Sequence, residues 1–496
     1  MVRRRRTSLV SPQVMLLHTP AMLTPEAGMS DNSNLAEAEA RDALRDADGA
    51  IRADLVERVA VAIEASDVET LRTLVSEMHE ADAGDLIEAL DPELRPRLIE
   101  LMGDAFDFTA LTQVDDAIRE EIFDELPAGT VAAGVRDLDS DDAVYLLEDL
   151  SREDQTEILE QLPAAERVAL ERSLYYPEDS AGRRMQTEFI AVPPFWTIGQ
   201  TIDFMRETPD LPDRFFELYV VDPAHRLIGA VALDRLLRTK RPVPISDLVD
   251  EDRRRVRATD DQEAVARQFE RYDLIAAPVV DDADRLVGVI TVDDVVDVIE
   301  EEADEDLKAL GGVQADEELS DTVFDTTRSR FPWLLANMFT ACLSAFVISR
   351  FADSLEKMVV LAVLMPIVAS MGGNAGTQTM TVAVRALATR ELSRGNAARI
   401  IRRELLVGAL NGVGFALIMG VIAALWFQVP GLGVVIGLAL ITVLISGALG
   451  GILIPLLLTR LGADPAVSSG PFVTTITDVV GFFAFLGIAT LWFGLR

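Results

Sequence analysis

The sequence predicts a multidomain membrane protein: an α-helical superhelix, an α/β tandem repeat, an acidic connecting helix and an α-helical membrane domain with five transmembrane helices. Three observations predict it. Charge is divided along the chain. Residues 331–496 hold 6 acids and 10 bases, whereas the whole chain carries a net charge of −37. Two internal repeats, one of 12 residues and one of 59, occupy the acidic part. Five apolar stretches, each long enough to cross about 30 Å of hydrocarbon, fill the rest.

The first 35 or so residues read as a disordered tail. Arg3 to Arg6 precede an apolar run that is short and broken by Pro12, which makes a poor cleavable signal. Between Ala36 and Ser173 the pattern is short amphipathic helices. Leu126, Leu138, Leu150 and Leu162 recur every 12 residues, each followed by a capping or breaking residue (Pro127, Asp139, Ser151, Pro163), and Leu90-Asp91-Pro92 is in phase with them. Helices in such a repeat bury one another's faces in a superhelix. Taken alone, that describes a scaffold and no chemistry.

The second repeat has an offset of 59. Residues 219–237 read YVVDPAHRLIGAVALDRLL and residues 278–296 read PVVDDADRLVGVITVDDVV. Each is a strand, an Asp-containing turn, a strand with a glycine, and a helix opened by Asp. This resembles a tandem pair of CBS domains, which form an α/β pseudo-dimer. In that family a Thr or Ser three residues before an Asp often holds a nucleotide ribose. Thr291 and Asp294 match in the second copy, while Ala232 and Arg235 stand in the first. The resemblance therefore allows at most one site for ATP or another adenine nucleotide, and helix capping explains the same pair equally well. From Asp293 the chain reads DDVVDVIEEEADEDLKAL, which puts Asp294, Asp297, Glu301 and Asp304 or Glu305 along one helix face. Such a face is either solvated or bridged by a cation.

The apolar stretches run approximately over 331–348, 358–387, 400–427, 433–458 and 467–493. The loop from Arg385 to Glu404 holds six arginines against two glutamates, so it is expected to be cytoplasmic. The soluble module is then cytoplasmic and the C-terminus external. The second stretch contains Pro366, three glycines (Gly372, Gly373, Gly376) and the polar residues Asn374, Thr377, Gln378 and Thr379. It reads as a pore-facing segment, a small-xxx-small packing face, or both on opposite sides. In the fifth stretch Asp478 stands alone, with no Lys or Arg to neutralise it. A carboxylate at that depth costs roughly 3 kcal/mol or more and usually faces a water-filled path, so a cation is its natural partner.

Composition removes other classes. A single cysteine, Cys342, excludes an internal disulfide framework, and three unpaired histidines give no soft-metal site. No phosphate-cradling glycine loop and no nucleophile–His pairing point to an enzyme. A net charge of −37 offers nothing to a nucleic acid. With only three lysines, the acid excess also fits adaptation to a saline cytoplasm, so bulk charge does not establish metal sensing.

The motifs together, YYPEDSAGRRM (Tyr175 to Met185), the paired repeats, the acidic helix, GGNAGTQ, RALATRE (Arg385 to Glu391), LGADPA (Leu461 to Ala466) and TDVVG (Thr477 to Gly481), resemble the MgtE family of magnesium channels, in the same order from about residue 50 onward. The resemblance implies these domains: a tail at 1–35, a helical N-domain at 36–173, CBS domains at 174–250 and 251–299, a connecting (plug) helix at 300–328, and a pore domain at 329–496. It implies a homodimer in the cell membrane whose second and fifth spans line the pore. Asp478 matches the aspartate that binds hydrated magnesium, with Gly373, Asn374, Thr377, Gln378, Thr474 and Gly481 around it. Asp464 matches an acid near the cytoplasmic mouth. Regulatory magnesium ligands match Asp141, Glu263, Asp273, Asp294, Asp297, Glu302, Glu305 and Asp306. Thr109 and Tyr145 stand where the family has a glutamate and an aspartate, which leaves fewer ligands for the inter-domain bridge. The expected function is magnesium uptake, shut off by cytosolic magnesium. An exchanger coupled to sodium or protons, or a membrane-bound nucleotide sensor, are the alternatives.

Overall fold

The computed structural model describes residues 44–495 apart from 48, 77, 149, 210, 213, 251–253, 316, 318–321 and 393–394. The expected tail at 1–35 lies outside them. Residues up to Val114 form one compact unit and those from Asp115 onward a second. In both, most α-helix starts keep the 12-residue beat. The residues before each first turn are Asp67, His79 and Asp91 in one unit, and Asp115, Pro127, Ser151 and Pro163 in the other. The repeat leucines Leu90, Leu126, Leu150 and Leu162 are buried. Helices this short leave carbonyls unpaired at each end. A polar residue five places after the leucine repairs the loss: Arg95 donates to the carbonyls of Ile87, Glu88 and Leu90 (3.2, 3.1 and 3.1 Å), and Gln155 to those of Leu147, Glu148 and Leu150 (2.8, 3.3 and 3.0 Å).

Two three-stranded sheets follow, β1 (Ala191–Val192), β2 (Glu217–Val221) and β3 (Leu227–Ala232), then β4 (Val256–Arg257), β5 (Ala276–Val280) and β6 (Leu286–Thr291). The offset of 59 extends to the strand register. Glu217 pairs with Ala232 and Ala276 with Thr291; Val221 pairs with Leu227 and Val280 with Leu286. The two halves join by reciprocal bonds, Leu227 N–H to the Asp284 carbonyl and Leu286 N–H to the His225 carbonyl, both 3.0 Å. Tyr219, Val221 and Leu227 share one core with Val280, Leu286 and Val289. A pseudo-dimer is what this reciprocity describes.

From β6 the chain enters a single connecting helix, Val292–Gly311, which runs through the expected boundary at 299/300. It ends at Gly312 with φ +74°, and the Trp333 ring lies so close that a Cβ at Gly312 would sit 1.8 Å from its Nε1. Both backbone and space demand glycine there.

Among the described residues, five helices are long and apolar enough to cross a membrane: Val323–Ser349, Val360–Ala388, Ala397–Phe427, Leu432–Leu461 and Pro465–Phe493. They are called here spans one to five. Span four is the central one, with Val435, Ile436, Ala439, Leu440 and Val443 fully buried. Its glycines admit span two at backbone distance. A Cβ on Gly447 would lie 2.9 Å from the Gly372 carbonyl, and one on Gly451 would lie 2.5 Å from that of Gly376. The Gly372-xxx-Gly376 face is thus a packing face. Its neighbour Gly373 has open space where a Cβ would go, so span two also has the second, open side that its polar residues suggested.

Candidate cation pathway and acidic mouth

On the open side of span two, Asn374, Thr377 and Gln378 are exposed, with Thr377 and Gln378 about one turn beyond Gly373 and Asn374. Thr474 on span five is exposed, and half-buried Asp478 follows it one turn later. Apolar lipid is a poor solvent for these groups, so the face requires a polar partner such as water, an ion or protein. Gly481 is placed differently. It is buried, with Val443 at 3.0 Å and Val368 at 3.5 Å from the position of a Cβ, so it serves the packing of spans two, four and five.

The C-terminal turn of the connecting helix docks at one end of this block. Ala309 and Leu310 pack with Met380 and Val384 at the end of span two, with Ile454 of span four, and with Ala466 and Val473 at the start of span five. The soluble module and the Arg385 end of span two therefore share one face of the membrane block. Asp464 caps span five there, its carboxylate accepting the Ala466 N–H at 2.7 Å. Glu305 and Asp306 come within electrostatic reach of it. Burial raises the Glu305 carboxyl above its usual value, and Asp179, Asp464, Asp306 and Glu263 add to that. Burial likewise raises Asp306, followed by Asp464 and Glu263, while Arg385 opposes. Glu302 is pushed up to about 7, mainly by burial; Gln262, donating at 3.0 Å, opposes, and Glu263, Glu305 and Asp261 add to the rise. The structure brings Glu263, Glu302, Glu305, Asp306 and Asp464 near one another. Asp179 joins them, a residue that sequence reading did not single out because its Tyr175–Met185 motif carries no metal-ligand spacing of its own.

A second acidic contact joins the helical repeat to the α/β pair. Ser140 opens the helix Ser140–Glu148 and is tied to Glu188 (Oγ to Oε2 2.7 Å) and to the Thr187 N–H (2.7 Å). That anchorage puts Asp141 beside Asp294. Burial pushes Asp141 well above the usual carboxylate range, with Asp294 and then Asp142 adding to it. Its Oδ1 is fully buried and has no hydrogen-bond partner. Two adjacent carboxylates out of water are a strong demand for a proton or a cation. Asp294 also closes a capping box with Thr291 (Oγ1 to Oδ2 2.7 Å), so both residues of the expected ribose pair are engaged with each other.

Asp297 is exposed, with Asp293 and Glu300 for neighbours, and Asp273 ends the helix Gln262–Tyr272 as an exposed left-handed cap. Among the described residues, no three His, Cys, Asp or Glu side chains stand close enough to form a metal shell. The expected regulatory ligands stand as one pair and one looser cluster, in which carboxylates face each other across space, with Asp273 and Asp297 outside both.

Apolar spans, a polar strip holding one unneutralised carboxylate, and an acidic module docked at one end of those spans define a polytopic membrane transporter of cations. Family models agree: a divalent cation transporter of the MgtE type matches residues 365–488, the MgtE intracellular N domain matches 78–179, and a CBS domain matches 245–301. A magnesium transporter MgtE of Enterococcus faecalis is 35% identical over 64% of this chain and 70% of its own, and one of Thermus thermophilus is 32% identical over 87% and 96%. Among solved structures, the cytosolic domain of the Mg2+ channel MgtE in complex with ATP is 28% identical, with a TM-score of 0.45 over 49% of this chain and 99% of that one. The chain belongs to the MgtE family of magnesium transporters.

Proposed function

We propose that this protein conducts magnesium into the cell as a homodimer and is shut by the magnesium it admits. The observation that carries this reading is the docking of the acidic connecting helix, through Ala309 and Leu310, on the ends of spans two and five, which sets Glu305 and Asp306 within electrostatic reach of Asp464. The polar strip of Gly373, Asn374, Thr377, Gln378, Thr474 and Asp478 lies on those same spans. In a two-fold dimer two Asp478 carboxylates would present −2 to a hydrated +2 ion, with hydroxyl and amide groups holding its water shell. Magnesium sheds water reluctantly, so a site of oxygens that leaves waters in place suits it. Binding must still be weak enough to let the ion go.

The regulatory residues fit the same ion. The donors are oxygens only, the buried Oδ1 of Asp141 lacks a partner, and no closed shell competes with retained waters. Asp141 with Asp294, and Glu263, Glu302, Glu305 and Asp306 with Asp464, would hold it. Without a cation, carboxylates on different elements repel and favour separation. With it, they favour the docked form. For the ion to shift the population fully, it must prefer that form by a few kcal/mol. An adenine nucleotide at the CBS pair is a further part of the proposal, and its ribose would have to displace the Thr291–Asp294 capping box. The arginines of the Arg385–Glu404 loop support a cytoplasmic docked module and, after five crossings, an external C-terminus.

Magnesium flux into proteoliposomes tests the conducting role. Wild type is expected to carry magnesium down a gradient with no counter-gradient of sodium or protons. Flux only when such a counter-gradient is imposed would replace the channel by an exchanger.

A further inference from the structure

Arg184 occupies the junction of three elements. It donates to Glu301 of the connecting helix (Nη2 to Oε2 2.7 Å) and to Gln262 at the start of the helix Gln262–Tyr272 (Nε to Oε1 3.1 Å). It faces Glu148, in the last turn of the helix Ser140–Glu148, at 3.6 Å. Arg183 pairs with the same Glu148 at 3.3 Å. Gln262 passes the contact on, donating to Glu302 at 3.0 Å. On the other side, the Tyr145 ring has the Arg119 guanidinium 4.6 Å and the Arg184 guanidinium 5.8 Å from its centre. Arg184 and Glu148 are largely sheltered, with side-chain exposures of 20% and 13%, so solvent screens the pair only in part.

We infer that Arg184 is a positioning residue for gating: its guanidinium is a built-in cation that ties Glu148 to Glu301 and, through Gln262, sets Glu302, holding part of the docked form together without magnesium. This rests on the gating reading above. The physical argument is one of charge. Glu148 and Glu301 lie on different elements and would repel if both were ionised with no cation between them. A planar fork of donors satisfies both carboxylates and an amide at once, which a lysine or a hydrated ion cannot do with the same geometry. The Tyr145 ring offers a face to both Arg119 and Arg184.

The test uses the full-length protein in proteoliposomes and reads the magnesium concentration that halves flux when added on the soluble-domain side. Arg184→Gln is expected to raise that midpoint about fivefold or more, the usual lower range of such couplings. Arg184→Lys should recover part of the shift. Loss of Arg184 should cost less in a Glu301→Gln background, because the partner it neutralises has gone. An unchanged midpoint in Arg184→Gln, or effects of the two substitutions that simply add, would overturn the inference. Protease cleavage of the metal-free protein reads the same bridge without relying on gating. Faster cleavage of Arg184→Gln than of wild type supports it, and equal rates contradict it. Wild-type flux that magnesium fails to suppress would remove the gating role while the protease result still decides whether the bridge exists.

Discussion

Asp478 sits half-buried in a span whose other residues carry no charge, and an isolated carboxylate there is stable only if something positive or aqueous reaches it. Asp478→Asn keeps the side chain's size and removes the field. Magnesium uptake is expected to fall by at least about tenfold, the equivalent of roughly 1.4 kcal/mol, with the thermal unfolding profile in detergent unchanged. Glu302 makes a separate prediction in pH. In the docked form it holds its proton up to about 7, whereas an opened, solvated carboxyl loses it near 4.5. The docked form therefore binds more protons between those values. Its stability over the open form falls as pH rises through that window and stays low above it. Metal-free protein should be cleaved faster at about pH 8 than at about pH 6, and Glu302→Gln should flatten the difference.

At the scale of elements, the glycine seam between spans two and four makes a packing prediction. A Cβ on Gly451 would meet the Gly376 carbonyl at 2.5 Å, backbone against backbone. Gly451→Val should cost about 1–3 kcal/mol as overpacking and lower the melting temperature of the detergent-solubilised protein. Most elements were legible in the sequence because their signals are local. Many helix starts of the superhelix carry a capping or breaking residue (Asp67, Pro127, Ser151, Pro163), each span its own apolar run, and the 59-residue offset reappears in the strand pairing of β2 with β3 and β5 with β6. The sites were legible only in part. Asp478 announced itself by isolation, but Glu305, Asp306 and Asp464 were separable from a solvated acidic face only through resemblance. Nothing in the spacing of Arg184, Glu148 and Glu301 marks them as neighbours, since the contact depends on how three elements pack. Gly481 carries a signal the sequence did not separate: its motif suggested a place in the pathway, and its lack of a side chain also serves helix packing.

Across the whole molecule, a net charge of −37 is concentrated where the chain is soluble, and the acidic connecting helix delivers part of it to the end of the spans. In the proposed reading that arrangement would couple an electrostatic sensor to a pathway by a continuous helix, whose last turn lies against Trp333 of span one at Gly312. Trp333→Ala should loosen that attachment, so that magnesium still protects the soluble module from protease but suppresses flux less completely. The central claim is that the ion carried is also the ion that closes the path. Its most direct test is magnesium flux through wild-type protein in proteoliposomes, measured with low and then high magnesium on the soluble-domain side at a constant driving force. The account predicts flux at low magnesium and suppression at high magnesium. Flux that persists undiminished at high magnesium would contradict it.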